Sequence, residues 1–332
     1  GKEDARGLIL KGLTRLEYRG YDSAGIALYN NEKNVFSIYK DKGRVANLEQ
    51  LTDFSYETHQ GIGHTRWATH GVPNRVNSHP HKSSTDSFYI VHNGVIDNYL
   101  ELKQEYLPEN VFESDTDTEV IVHLIEKFSS LMSTSSAIRK TMSLLDGSYA
   151  LAIVDTHDKE RLYAAKNKSP LLLGIGEKGL TIASDIMAFV GHSKSYIPLP
   201  DKSYVEIHND SFKIMDIIGL EMDYEVKKIN VDYMDIEKGE YAHFMMKEIN
   251  EQPSVIRRII GKYFDEHGNV IKISKRIFKE IEESDRIYII GAGTSMNAGF
   301  IGKELFEKLG NKPVEVHIAS EFAYNMPILS KK

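Results

Sequence analysis

The stretch Gly61-Ile-Gly-His-Thr-Arg-Trp67, running on into Ala-Thr-His-Gly71, holds the chain's only tryptophan together with an arginine and two histidines. Its first part reads as a strand. A strand that delivers Arg66 and Thr69 into a pocket can clamp a carboxylate, because the planar guanidinium meets that group with two parallel N–H donors. A strand and turn carrying a surface arginine and a packed Trp67 is the plain alternative. Toward the N-terminus, Leu8, Ile9, Leu13 and Leu16 recur at helical spacing ahead of Gly20, and Ser23 to Tyr29 reads as a strand. Toward the C-terminus, the apolar strand Phe88 to His92 runs into Asn93-Gly94, a strong turn signal. Thr116-Asp-Thr-Glu119 has the form of a capping box, and Val120, Leu124, Ile125 and Phe128 make the buried stripe of the helix it opens. Gly147 to Asp155 and Arg161 to Asn167 read as paired strands, with shorter ones from Leu171 to Ile218. Strands flanked by a few helices predict an α+β layered domain.

The pattern changes after about residue 225. Val226 to Glu251 is charged and loosely patterned, and His243 to Gln252 reads as a helix stopped near Pro253. From Arg286 the order is strand (Ile287 to Ile290), glycine-rich turn (Gly291 to Ser295), helix (Met296 to Leu309) and strand (Val314 to Ile318). That is a βαβ unit, the start of a parallel sheet. Too few strands follow to cover both faces of such a sheet, so the natural chain is expected to continue beyond Lys332.

A chain of 332 residues exceeds one typical core, so two domains are expected. The net charge of −7, with both signs interspersed, argues against nucleic acid or an anionic membrane as main partner. No apolar run is long enough to span a bilayer and no basic-then-apolar leader opens the chain, so a cytoplasmic location is expected. The sequence contains no cysteine, which excludes disulfides, thiolate metal sites and thiol nucleophiles in the chain as written.

Other residues carry two readings each. His64, His70, His79 and His81 can be imagined as a zinc site, but their spacing matches no compact ligand motif; histidines that hydrogen-bond and hold loops are the simpler account. The Asn93 amide beside the Gly94 N–H can serve a developing oxyanion, or the pair can be a hairpin turn. Asp117 can receive an ammonium group, or complement a helix dipole. Gly291-Ala-Gly-Thr-Ser295 places backbone N–H groups and two hydroxyls at a helix start, which suits a phosphate better than a dinucleotide, since Met296 stands where the third glycine of that fingerprint belongs.

Taken together, Leu16-Glu-Tyr-Arg-Gly-Tyr-Asp-Ser-Ala-Gly25, His64 to Gly71, Val91-His-Asn-Gly94, Asp115-Thr-Asp-Thr-Glu119 and Leu145-Asp-Gly-Ser-Tyr149 resemble, in order and spacing, the glutaminase domain of the glutamine–fructose-6-phosphate aminotransferase family. Lys247-Glu-Ile-Asn-Glu-Gln-Pro253, Gly291-Ala-Gly-Thr-Ser295 and Ala319-Ser-Glu-Phe322 resemble the start of its sugar-isomerase domain.

The resemblance implies an N-terminal-nucleophile hydrolase fold, a four-layer αββα sandwich over residues 1–238 that lacks its first strand. A partial αβα sugar-isomerase domain is implied over residues 239–332. It implies glutamine-dependent conversion of fructose 6-phosphate to glucosamine 6-phosphate, the first step of amino-sugar synthesis, by a homodimer without cofactor or metal. In that scheme Arg66, Thr69, His70 and Asp117 hold glutamine, and Asn93 and Gly94 form the oxyanion hole. Trp67 gates the ammonia route, His79 lies in a loop that moves on closure, and Gly293, Thr294 and Ser295 bind the sugar phosphate.

The family's nucleophile is an N-terminal cysteine whose own α-amine acts as base. About seven residues beginning with it are expected upstream of Gly1. The chain as written is therefore expected not to hydrolyse glutamine. Ala292 also departs from the cysteine common at that loop position, which leaves the backbone and hydroxyls in place. Another amidotransferase of the same glutaminase fold and a non-catalytic glutamine-binding fragment are the alternatives. A dinucleotide oxidoreductase is a more distant one.

Overall fold

The computed structural model describes residues 4–67, 71–229, 241, 243–265, 267–269, 274–322 and 324–329. The chain divides into two compact units, Gly1–Glu237 and Lys238–Lys332.

In the first unit, α1 (Ala5–Leu16) leads into β1 (Ser23–Asn30), β2 (Val35–Lys42), α2 (Val45–Leu51) and β3 (Gly61–Arg66). These three strands form an antiparallel sheet in the order β2-β1-β3. The alternation of side chains along β1 divides its work. Ala24, Ile26 and Leu28 pack under Leu10, Leu13, Val45 and Leu48 of the two helices, whereas Ala27 and Tyr29 face the other way, toward Tyr89 and Val91. All eight positions of β1 are buried because both faces are covered.

The next elements are β4 (His81–Lys82), β5 (Phe88–Ile96), α3 (Tyr99–Tyr106), α4 (Asp117–Ser129), α5 (Thr134–Met142), β6 (Gly147–Asp155) and β7 (Arg161–Asn167). Then come β8 (Leu172–Gly176), β9 (Gly179–Ala183), β10 (Ser193–Pro198), β11 (Ser203–His208), β12 (Ser211–Asp216) and β13 (Lys227–Lys228). They make a six-stranded sheet, β12-β11-β7-β6-β5-β4, and a four-stranded one, β13-β10-β8-β9. The six-stranded sheet turns Phe88, Ile90, Leu151 and Ile153 toward Ile121, Ile125 and Ile138 of α4 and α5. Its opposite face meets the three-stranded sheet through Tyr89 and Val91, and the four-stranded sheet through Ala164, Val205, Leu173 and Ile197. Helices, strands, strands, helices: the αββα sandwich is four layers deep.

Two local expectations in this unit need correction. Asn93-Gly94 is not a hairpin turn: β5 runs through it to Ile96, with Asn93 opposite Ala150 and Gly94 opposite Tyr149. Gly94 has φ +142°, and a Cβ there would lie 1.9 Å from the Ser148 carbonyl oxygen, so the glycine answers a close strand approach within the sheet. The capping box at α4 does not form either. Thr116 is the N-cap residue but makes no capping bond; its Oγ1 lies 3.1 Å from His81 Nε2. Glu119 turns back to accept from the N–H groups of Glu113, at 2.7 Å, and Ser114, at 2.6 Å. The tertiary partners outcompete the local bonds.

The second unit opens with α6 (Phe244–Tyr263), which passes through Pro253 instead of stopping there. The proline ring's φ is helical, and its loss of one N–H removes a single bond from a helix of 20 residues. After α7 (Lys275–Glu283), β14 (Ile287–Gly291) and β15 (Val314–Ile318) pair in parallel, joined through α8 (Thr294–Gly310), as the βαβ reading predicts. Gly299 of α8 packs on Ile289 and Val316, where a Cβ would come within 2.8 Å of the isoleucine.

Candidate active site

The residues that the strand β3 and the strand β5 carry meet at one cavity of about 680 Å³. Its lining includes His64, Arg66, Trp67, Asn93, Gly94 and Asp117. His79 lines it too. The cavity lies between Leu8 and Ile9 of α1 on one side and Ala150, Ala152 and Leu162 of the six-stranded sheet on the other. Two strand edges border it: β3 ends the three-stranded sheet and β9 ends the four-stranded sheet, with no further strand on either among the described residues.

Each polar group has a structural cause for its position. Arg66 ends β3 opposite Ser23, is 4% exposed, and donates from Nη2 to the Gly71 carbonyl at 3.4 Å. Burial draws its pKa down, while the carboxylates of Asp117 and Asp22 hold it up. Asp117 begins α4 and is buried. One of its oxygens accepts from the Ile96 N–H at 2.8 Å, tying the helix start to the end of β5 just beyond Gly94. Its other oxygen accepts from Thr118 Oγ1 at 3.3 Å. The sequence offered a helix-dipole role or an ammonium partner for this residue; the strand-to-helix tie is a third task, invisible without the fold. Trp67 is 58% exposed and meets Tyr21 edge-on, ring centroids 5.7 Å apart, at the rim. Thr69 and His70 lie outside the described residues.

The histidines form a buried stack. His64 and His79 lie 4.3 Å apart between ring centroids, and His79 and His81 lie 4.7 Å apart. His79 Nδ1 accepts from the His92 N–H at 3.3 Å, His92 Nδ1 lies 2.9 Å from Thr118 Oγ1, and His64 Nε2 lies 2.8 Å from Asn93 Oδ1. Lys40, a residue the sequence did not single out, binds the loop that carries His79. Its ammonium donates to the carbonyls of Val76 at 3.3 Å, Ser78 at 2.8 Å and Pro80 at 3.2 Å. Burial pushes its pKa down to about 8.

Burial also lowers the pKa of His64 to about 4 and of His81 to about 3, and drives His79 well below its ordinary value. The folded state therefore resists protons that the unfolded chain accepts once the pH falls below the ordinary histidine value, about 6.5. With more protons on the unfolded chain, stability falls as the pH drops. The loss begins near the unfolded pKa, above the range where most carboxylates titrate. Urea unfolding at steps between about pH 7 and pH 5 is expected to show a declining midpoint and an unfolding free energy lower by an amount on the order of 1–3 kcal/mol in all. His81→Asn should flatten the slope. A midpoint that stays level over that range would rule out neutral, proton-resisting histidines.

In the second unit, Gly293 is the N-cap of α8 with φ 57°, and Thr294 and Ser295 are exposed in the first turn. The loop geometry is that of a helix start open to an anion. Glu315 of β15, about where a dinucleotide-binding unit carries its ribose-binding acid, is engaged by Arg286 and by His317 instead.

Residues 64–191 match the family model of the glutamine amidotransferase domain, and residues 280–332 match that of the SIS domain. Residues 64–191 are a glutamine amidotransferase domain. Proteins named glutamine–fructose-6-phosphate aminotransferase (isomerizing) align with the whole chain. That of Listeria monocytogenes is 52% identical over 332 residues, covering 100% of this chain and 55% of the relative. That of Staphylococcus aureus strain COL is 53% identical over 334 residues, with the same coverage. The chain thus spans about half the length of the curated relatives it matches. Among solved structures, a glutamine phosphoribosylpyrophosphate amidotransferase from B. subtilis, complexed with ADP and GMP, superposes with a TM-score of 0.59 at 22% identity, covering 95% of this chain and 64% of that one. A structure described as the allosteric regulatory enzyme of purine biosynthesis gives 0.60 at 22% identity, covering 95% and 63%. They share the amidotransferase fold with this chain. Among the described residues no helix is long and apolar enough to cross a membrane.

Proposed function

We propose that this chain serves the glutamine-dependent amination and isomerisation of fructose 6-phosphate to glucosamine 6-phosphate. Its first unit would release ammonia from glutamine, and its second would begin the sugar-phosphate site. The observation that carries the reading is the convergence of Arg66, Asp117, Asn93 and Gly94 on one cavity, in a chain aligned throughout with relatives named for that reaction. Arg66 and Asp117 carry the opposite charges needed for the α-carboxylate and α-ammonium of glutamine, leaving its side-chain amide to reach toward Asn93 and Gly94. Thr69 and His70 would complete the pocket, Trp67 would gate ammonia passage, and His79 would ride a loop that moves. Gly293, Thr294 and Ser295 would seat the phosphate. The setting is cytoplasmic and the assembly a homodimer.

Thiol chemistry enters through the gap between β3 and β9. A strand laid there would join the two sheets edge to edge and bring an N-terminal cysteine beside Asn93. The thiolate attacks the amide carbon, the carbonyl oxygen takes the negative charge, and ammonia leaves with a proton from the protonated amine. Water then hydrolyses the thioester to glutamate. Apolar side chains of α1 and the six-stranded sheet wall that gap on both sides.

In a form carrying Cys-Gly-Ile-Val-Gly-Tyr-Ile ahead of Gly1, Arg66→Ala is expected to raise the glutamine KM roughly tenfold to a hundredfold, the loss of a charge-assisted pair. Steady-state ammonia release measures it, and an unchanged KM would remove Arg66 from the pocket.

A further inference from the structure

The Asn93 side chain has two ends with opposite effects on an anion. The amide hydrogens on Nδ2 stabilise negative charge and Oδ1 repels it. Half a turn about the last side-chain torsion exchanges them, and the backbone of β5 does not choose. One neighbour does. His64, on β3, places Nε2 2.8 Å from Asn93 Oδ1.

We propose that His64, in its Nε2–H tautomer, is the positioning residue that turns the Asn93 amide nitrogen toward the reacting oxygen. This rests on the reading of Asn93 and Gly94 as the oxyanion hole. Nothing in the reaction itself calls for a proton from His64.

The ring is built in. His64 is 8% exposed, held on β3 opposite Gly25 and stacked on His79. Three cationic or titratable groups face it: His79 from the loop, His92 from β5 and Arg66 two residues along β3. Burial, helped by His92 and Arg66, keeps the ring neutral near pH 7, against the weaker pull of hydrogen bonding to Asn93. A neutral ring has one donor and one acceptor, so it imposes a direction on its partner. Donation from Nε2 to Oδ1 leaves both Nδ2 hydrogens for the cavity. The other tautomer reverses the amide and aims Oδ1 at the place where negative charge develops. Choosing between these states is a catalytic matter, because a reversed amide would still fill the same space and bind glutamine about as well.

Two measurements test this. Long-range proton–nitrogen spectra of the histidine-labelled chain, with His64 assigned through His64→Gln, are expected to show a neutral Nε2–H ring that does not titrate down to about pH 5. A ring protonated on Nδ1 would overturn the proposal. In the form carrying the N-terminal cysteine segment, His64→Phe keeps a ring but removes the donor. It is expected to lower kcat for ammonia release roughly 10²-fold while the glutamine KM changes less than about threefold, the pattern of an interaction made only in the transition state. His64→Gln, whose side-chain amide nitrogen reaches the position of Nε2, is expected to recover most of the loss. Equal impairment of the two variants, or a loss expressed in KM, would refute the positioning role. If His64→Phe does not fold, the spectra and His64→Gln still decide. No turnover by the cysteine-bearing parent would instead defeat the glutaminase reading, and the spectra would still report the tautomer.

Discussion

Joining Cys-Gly-Ile-Val-Gly-Tyr-Ile ahead of Gly1 is expected to turn a chain that leaves glutamine intact into one that releases ammonia from it. One extra residue in front of that cysteine is expected to abolish the release. The chain itself has no cysteine to attack the amide carbon. Oxyanion donors and positioning retain some catalysis without a nucleophile, but loss of the nucleophile in a serine protease costs about 10⁶-fold in turnover. Among the described residues β3 and β9 are the outermost strands of their sheets, and these edges with the apolar walls between them fit an added strand. Its alternation places the cysteine and two isoleucines on one face and valine and tyrosine on the other, matching a slot walled by helix α1 and by a sheet. The masked form tests the base, since an acylated α-amine cannot take the thiol proton. Ammonia release from glutamine by the three forms is the measurement. Brisk turnover by the chain as it stands would overturn the thiol mechanism.

A second large effect is expected at Gly94. Gly94→Ala puts a Cβ 1.9 Å from the Ser148 carbonyl oxygen and 2.7 Å from its carbon, on a backbone with φ +142°. Neither obstacle is a flexible side-chain end: β6 would have to move, and the ladder that pairs Gly94 with Tyr149 and Val95 with Ser148 would have to open. Strain at a disfavoured φ and overpacking together cost about 3 kcal/mol or more. The urea midpoint should fall accordingly, and glutaminase activity in the cysteine-bearing form should disappear with the displaced N–H. A stability within about 0.5 kcal/mol of the parent would show that β6 yields freely, and that Gly94 is not required by the sheet.

Much of this molecule is legible from local pattern. The apolar strand Ser23 to Tyr29, the helical spacing of Val120, Leu124, Ile125 and Phe128 on α4, and the strand–turn–helix–strand of the second unit announce their own structure, because the spacing of apolar residues and the glycine-rich turn are local signals. The site residues Arg66, Asn93, Gly94 and Asp117 were singled out by chemistry and resemblance, and the fold brings all four to one cavity.

What stayed hidden depends on partners far along the chain. Asn93-Gly94 carries a turn's composition, yet β6, more than fifty residues later, takes it as strand. Thr116 and Glu119 have the letters of a capping box but are claimed by His81 and by the Glu113–Ser114 backbone. His64 looked like one member of a loose histidine group; only its 2.8 Å approach to Asn93 gives it a task. The sequence by itself determined the strands at Ser23 to Tyr29 and Gly147 to Asp155, the helix that follows Thr116 and which residue types can do the chemistry, since apolar spacing and functional groups are local properties. Tertiary structure alone decided which way the Asn93 amide points, what Asp117 holds and which sheet each strand joins, because a hydrogen bond between distant strands is won by the partner that register brings within reach.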